Sequence, residues 1–174
     1  RAINDYGTSK IQEVALAEDY AKKYGLDVVV ARIFNPIGPG MAQKFLLTNL
    51  LRQIREIKEG KTETITISRL DSMRDYIDVR DVASAILAFI TEDRGKHHIV
   101  QNIGSGRATS IKDLIDGILE QVDLGVEPTI IETQGAPETS YAAIADISRI
   151  NTEFGWAPHY ELKTTIGDII HEQI

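Results

Sequence analysis

Tyr6 and Lys10 stand four residues apart in the segment Tyr6-Gly7-Thr8-Ser9-Lys10, at the head of a run with helical spacing: Ile11, Val14, Leu16, Ala17, Tyr20 and Ala21. At 3.6 residues per turn, side chains at i and i+4 project from one face. An ammonium beside a phenol favours the phenolate and draws the tyrosine pKa down from about 10. A phenol tuned in this way can move a proton to or from an alcohol or carbonyl oxygen. Taken alone, the spacing favours a simpler account, an exposed lysine and a tyrosine packed against its helix. The rest of the chain has to decide between them.

The spacing predicts a helix from about Tyr6 to Tyr24, closed by Gly25 as a C-terminal cap. Residues 26–34 form an almost continuous apolar and β-branched run, the mark of a parallel strand buried on both faces. Helix, glycine turn and buried strand make half of a βαβ unit. The strand runs into Asn35-Pro36-Ile37-Gly38-Pro39-Gly40, read as a turn-rich loop. Open α/β sheets bind ligands beyond the carboxyl ends of their strands, where this loop falls.

Further on, helical spacing runs from Met41 to Glu59, and a short strand covers Thr64–Ile67. The charge-dense segment 70–81 leads into a helix over Val82–Ile90, whose start Asp78 or Asp81 can cap. A strand over Ile99–Ile103 enters the turn Gly104-Ser105-Gly106, and a helix follows from Ser110 to Val122. Thr129–Glu132 reads as a strand, and helices over Ile147–Phe154 and Thr164–Ile174 end the chain.

Composition sets bounds. The 174 residues allow one domain with a sizeable core or two small lobes. No apolar run approaches the roughly 20 residues of a bilayer span, and no signal peptide is recognisable. The absence of cysteine excludes disulfides and thiolate chemistry and suits a reducing cytoplasm. A net charge of −7 argues against a nucleic-acid partner, though a phosphorylated small molecule needs only a local basic patch. His97, His98, His159 and His171 lack metal-ligand spacing, so none is assigned to a metal. The chain opens on Arg1 and almost at once on a helix, which reads as the C-terminal part of a longer polypeptide.

Four ordered segments together resemble the extended short-chain dehydrogenase/reductase family that acts on nucleotide sugars. They are Tyr6–Lys10, Arg32–Gly40, Met73–Val82 and Gln101–Gly106. Within that family, the Phe34–Gly40 loop and Leu70–Asp75 look most like enzymes handling GDP-linked 6-deoxyhexoses, the 4-keto reductases and 4,6-dehydratases. The resemblance implies an α/β chain: the C-terminal part of a Rossmann-like doubly wound parallel sheet plus a smaller substrate-binding lobe. Residues 1–35 would be the remnant of the dinucleotide-binding domain with its YxxxK helix. Residues 36–174 would be mainly the substrate lobe, with 74–104 returning to the Rossmann sheet.

The same resemblance implies roles. Tyr6 is the catalytic acid/base at the sugar C4 oxygen. Lys10 bonds the nicotinamide ribose of NAD or NADP and lowers the tyrosine pKa, and Phe34 also borders the coenzyme. Asn35 binds near the diphosphate of a nucleotide-diphosphate sugar, unless it only bonds its own turn. Arg74 contacts the nucleotide or its phosphates, unless it pairs with Asp71 or Asp75. Asp75, Tyr76 and Asp78 are read as structural, and Gly104-Ser105-Gly106 as a turn.

Two departures bear on this reading. Ala136 stands where family members usually carry a diphosphate-gripping Arg, with Arg107 or Arg69 as substitutes. The glycine-rich dinucleotide loop and the Ser or Thr partner of the tyrosine belong to a region upstream of Arg1. The expectation is therefore an NAD(P)-dependent nucleotide-sugar reductase, dehydratase or epimerase as the intact parent. The 174-residue piece alone would be inactive, and a homodimer formed through the Tyr6 helix is expected. The rival reading is a non-catalytic nucleotide-sugar-binding member of the same fold.

Overall fold

The computed structural model describes residues 4–91, 98–133 and 143–174. Helix α1 spans Asp5–Tyr24. Asn4 caps it, its side-chain oxygen accepting the Gly7 N–H at 2.8 Å. Asp5 at its start and Lys22 and Lys23 at its end complement the helix dipole. Gly25 ends it at φ 65°, a left-handed conformation that glycine adopts without steric cost. The chain then doubles back into β1 (Val28–Ile33), which pairs in parallel with β6 (His98–Ile103) from Val28↔His98 to Ile33↔Ile103. Because α1 packs on both strands and reverses into β1, its N-terminal turn lies toward their carboxyl ends.

β1 is less buried than its composition predicts. Its first four residues are half-buried, and Arg32 and Ile33 are exposed. Among the described residues β1 has a ladder partner on one side only, so the other edge and the side chains beside it stay open. α1 is similarly one-sided. Ala21 is fully buried and Val14, Ala17 and Glu18 half-buried, a narrow stripe of mostly small residues, whereas Leu16, Tyr20 and Tyr24 face outward.

Asn35–Ile37, expected as loop, is a three-residue strand, β2. It pairs in parallel with β5 (Tyr76–Asp78), and Pro36 is tolerated because β2 has no ladder partner on its other side among the described residues. Short strands such as this leave too few residues for a periodic signal. β4 (Met73–Arg74) and β7 (Thr109–Ser110) likewise pair, antiparallel, over two residues.

Helix α2 spans Leu46–Lys58, starting later than the expected Met41. Phe45 is extended, and the Thr48 hydroxyl donates to the carbonyls of Ala42 and Phe45, holding 42–45 as a turn. β3 (Thr64–Ile67) pairs in parallel with β8 (Thr129–Glu132). The remaining helices are α3 (Val79–Thr91), α4 (Ile111–Leu119), α5 (Ser148–Phe154) and α6 (Leu162–Gln173). α4 opens on a reciprocal capping box between Ser110 and Asp113.

Two cores share one wall. The larger joins α2, β3, α4 and α6 through residues such as Leu50, Ile54, Ile65, Leu114 and Ile166. The smaller joins β6, α3 and α5 through Ile77, Ile103, Ala85, Ile150, Phe154 and Trp156. Strand alternation makes β5 the wall: Tyr76 packs into the larger core and Ile77 into the smaller. Each fully buried Leu or Ile contributes about 1.5–3 kcal/mol relative to exposure, so these cores set where β5 and its neighbours lie.

Candidate active site

The carboxyl ends of β1 and β6 are level, and the chain segments that leave them are tied together. The Phe34 N–H, just past β1, donates to the Ile103 carbonyl at 2.9 Å. Asn35 follows, and both its backbone N–H (3.1 Å) and its side-chain amide (2.9 Å) donate to the carbonyl oxygen of Asp75. Asn35 is therefore bonded across to β5's approach and not within its own turn. Arg74, one residue before that carbonyl, is half-buried and lies opposite Thr109 in the β4–β7 pair, with a bridge to Ala143. Its guanidinium donates to the Met73 carbonyl at 2.7 Å. The acids expected to compete for it are engaged elsewhere: Asp71 pairs with Arg69 at 3.2 Å, and Asp75 faces a different loop.

That loop is the glycine turn after β6. The fully buried Asp75 carboxylate accepts from four donors: Ser105 N–H (2.7 Å), Ser105 hydroxyl (2.6 Å), Gly106 N–H (3.0 Å) and Ala145 N–H (2.9 Å). Gly104 has to be glycine, because a Cβ there would lie 2.5 Å from the Ala145 Cβ and 2.7 Å from the Asp75 carboxylate. Gly104-Ser105-Gly106 thus does more than turn the chain. It wraps a buried anion supplied by the chain itself.

Between this turn and α6 lies a small open crevice bordered by Ile37, Tyr76, Ser105, Arg107, Thr109 and Glu161. The Tyr76 hydroxyl is buried and has no hydrogen-bond partner among the described residues. Burial pushes its pKa up against the opposing pull of the Arg74 cation. At the mouth, Arg107 and Glu161 form an exposed ion pair at 2.7 Å. Of the two proposed substitutes for the absent arginine, Arg107 reaches the crevice, and Arg69 pairs with Asp71. Sequence reasoning read Asp75 and Tyr76 as structural without showing what Asp75 joins or that the Tyr76 hydroxyl is buried. Their signal, an Arg-Asp-Tyr run preceding a Gly-Ser-Gly turn, becomes meaningful only once the two segments touch.

Tyr6 and Lys10 stand on the first turns of α1, toward the same end of the strands. Tyr6 is 70% exposed, and the Lys10 ammonium lies 5.8 Å from its ring centroid. The ammonium bonds to the Glu13 carboxylate at 2.7 Å, which raises the Lys10 pKa; Tyr6 raises it further. Ala136 and Pro137 lie outside the described residues. Among the described residues no group of three or more Asp, Glu or His is clustered as a metal site, and no helix is long and apolar enough to cross a membrane.

A parallel α/β arrangement, a Tyr-x-x-x-Lys helix start and an Asn–Arg–Asp cluster beyond the strand ends together define the class of extended short-chain dehydrogenase/reductases with a Rossmann-like fold. The chain belongs to the GDP-mannose 4,6 dehydratase family, whose model matches residues 1–169. It is 29% identical to the GDP-6-deoxy-D-mannose reductase of Pseudomonas aeruginosa, over 97% of this chain and 55% of that protein. A UDP-glucose 4-epimerase of Azospirillum brasilense is 28% identical over 91% of this chain and 49% of its own length. Among solved structures, RMD from Pseudomonas aeruginosa complexed with NADPH superposes with a TM-score of 0.87 at 28% identity, covering 99% of this chain and 56% of that one. The UDP-glucuronic acid 4-epimerase of Bacillus cereus, bound to its sugar nucleotide and NAD, shares the fold at a TM-score of 0.86 and 22% identity. The chain spans about half the length of the relatives it matches.

Proposed function

We propose that this chain is the substrate-binding portion, with the catalytic Tyr-Lys helix, of an NAD(P)-dependent nucleotide-sugar reductase, dehydratase or epimerase. The observation that carries the reading is the convergence of Asn35 and the Ser105–Gly106 turn on Asp75 beyond the ends of β1 and β6, with Arg74 next to it in the chain. A diphosphate suits that place. Arg107 offers a cation at the crevice mouth and the unpartnered Tyr76 hydroxyl a buried donor, while Asn35 on β2 and Arg74 on β4 stand two residues from the lining residues Ile37 and Tyr76. The β1–β6 core is read as the remnant of the dinucleotide domain, joined by α5, and the α2–α4–α6 core as the substrate lobe.

The residues present fit one end of a dinucleotide. Tyr6 and Lys10 are exposed at a helix start where a nicotinamide ribose could rest. The pyrophosphate end finds no cradle among the described residues: the Ser105 and Gly106 N–H groups of the glycine turn already donate to Asp75, and a strand follows that turn instead of a helix. NAD(P), when bound, supplies or accepts hydride at a hexose carbon. Tyr6 gives or takes the matching proton at the adjacent sugar oxygen, and Lys10 steadies the ribose.

Titration of the chain with GDP and with UDP tests the binding half of this reading, and saturable binding of either is the expected result. In a full-length protein carrying the chain, Tyr6→Phe should lower kcat by about 10²–10⁴ with KM little changed, the effect typical of losing a general acid/base. Retention of most activity by that variant would overturn the catalytic role. The Lys10–Glu13 bond favours a second reading, a binding member without turnover. An intact protein that binds nucleotide sugar but shows no Tyr6-dependent turnover would establish it.

A further inference from the structure

We infer that Asp75 is the positioning residue of the site, setting the distance between Asn35 on one side and the Ser105–Arg107 turn on the other. The inference rests on the nucleotide-sugar reading for its ligand, but its geometry is independent of that reading. The two ends of one residue reach two different segments. Its carboxylate takes the Ser105 N–H and hydroxyl, the Gly106 N–H and the Ala145 N–H, and its main-chain carbonyl takes both amides of Asn35. The side chain is fully buried, and among the described residues no cation pairs with it. Its hydrogen bonds are therefore spent on position. Arg74 precedes it and Tyr76 follows it, so any shift of residue 75 moves each group offered to the diphosphate.

An asparagine at 75 would keep one acceptor oxygen and turn an N–H₂ toward backbone donors, so at least one of the four bonds is lost and residue 75 has to move. The test uses the ¹⁵N-labelled 174-residue chain. In Asp75→Asn the side-chain amide resonance of Asn35 should shift along with those of Ser105, Gly106 and Ala145, while resonances of the α2–α4 core stay in place. With GDP as probe, the folded variant should bind at least tenfold more weakly than wild type. A carboxylate that only stabilised the fold would lower the melting temperature yet leave the Asn35 amide and the affinity of folded protein unchanged, and that result overturns the inference. Should Asp75→Asn not fold, Ser105→Ala removes one of the four donors to the carboxylate, together with the acceptor of the Arg107 N–H. The Gly106 and Asn35 amides should then still move, by less, and a still Asn35 amide overturns the inference equally. If wild type binds neither GDP nor UDP, the proposed function fails, and the Asn35 resonance alone decides the positioning role.

Discussion

Asp78 shows how single residues hold the wall between the two cores. Its side chain is buried, and it accepts the Arg80 backbone N–H at 2.7 Å, the Arg80 guanidinium at 2.6 and 2.9 Å, and the Thr165 hydroxyl at 2.6 Å. Arg80 also reaches Asp168 at 2.8 Å and stacks 3.7 Å from the Tyr160 ring centre, so α6 is tied to β5 through one guanidinium. Burial works to raise the Asp78 pKa, but the bonds from Arg80 and Thr165 outweigh it and hold the carboxyl below the usual range. A depressed folded-state pKa means stability that is fully present above the unfolded value near 4 and is lost as pH falls through the folded value. Asp78→Asn should cost about 1–3 kcal/mol at pH 7, less than a fully buried pair because Arg80 is partly solvated. Its urea-unfolding stability should also fall less than wild type's between pH 4 and pH 2, and parallel pH profiles would refute the assignment. Sequence places Asp78 at a helix start, as observed. Its partner Thr165 lies 87 residues away, beyond the reach of any local pattern.

At the scale of elements, β3 shows how a strand with only one ladder neighbour among the described residues is finished. Ile65 and Ile67 fill the larger core, and β8 pairs along one edge. On the opposite edge Gln53 of α2 stands in for a strand: its amide oxygen accepts the Thr66 N–H at 2.7 Å, and its amide nitrogen donates to the Thr66 carbonyl at 3.2 Å and to Asn49 at 2.9 Å. Gln53→Leu should keep the helix and leave both Thr66 groups unpaired, at about 1–3 kcal/mol. For a chain of this size that is a fall in Tm of roughly 2–12 °C. A calorimetric Tm equal to wild type would show that water satisfies the edge. Periodicity does place Gln53 on the α2 face that packs inward. Which strand it would meet depends on how α2 crosses the sheet, a matter of packing volume outside any sequence window.

Over the whole molecule, the surface along α1 stands apart. Leu16, Tyr20 and Tyr24 recur every four residues and are each 50–58% exposed, with the two tyrosine rings 5.2 Å apart. A helix normally turns such a stripe inward, but here the core side is taken by Val14, Ala17 and Ala21. The expected homodimer runs through this helix. Of the residues expected to serve it, Val14, Leu16, Ala17 and Ala21, only Leu16 is exposed, so we propose that the partner copy covers Leu16 with Tyr20 and Tyr24. Wild type should then sediment as a dimer, and Leu16→Glu should shift the equilibrium to monomer. An unchanged distribution in Leu16→Glu would remove α1 from the interface.

The sequence by itself determined what short-range physics can determine. Glycines and caps ended α1 and opened α4, alternating or continuous apolar runs marked β1, β3, β6 and β8, and four ordered motifs identified the family. Tyr6 and Lys10 stand out by their local spacing, whereas Phe34, Asn35 and Arg74 are singled out through the resemblance to the family. Tertiary structure alone decided that Asn35 bonds Asp75 and not its own turn, that the Gly-Ser-Gly turn wraps that same residue, and that β1 has a ladder partner on one side only among the described residues. Such contacts join segments separated by 30 to 70 residues. Their energy comes from burying donors and acceptors together, which no single segment can do before the cores bring the others to it.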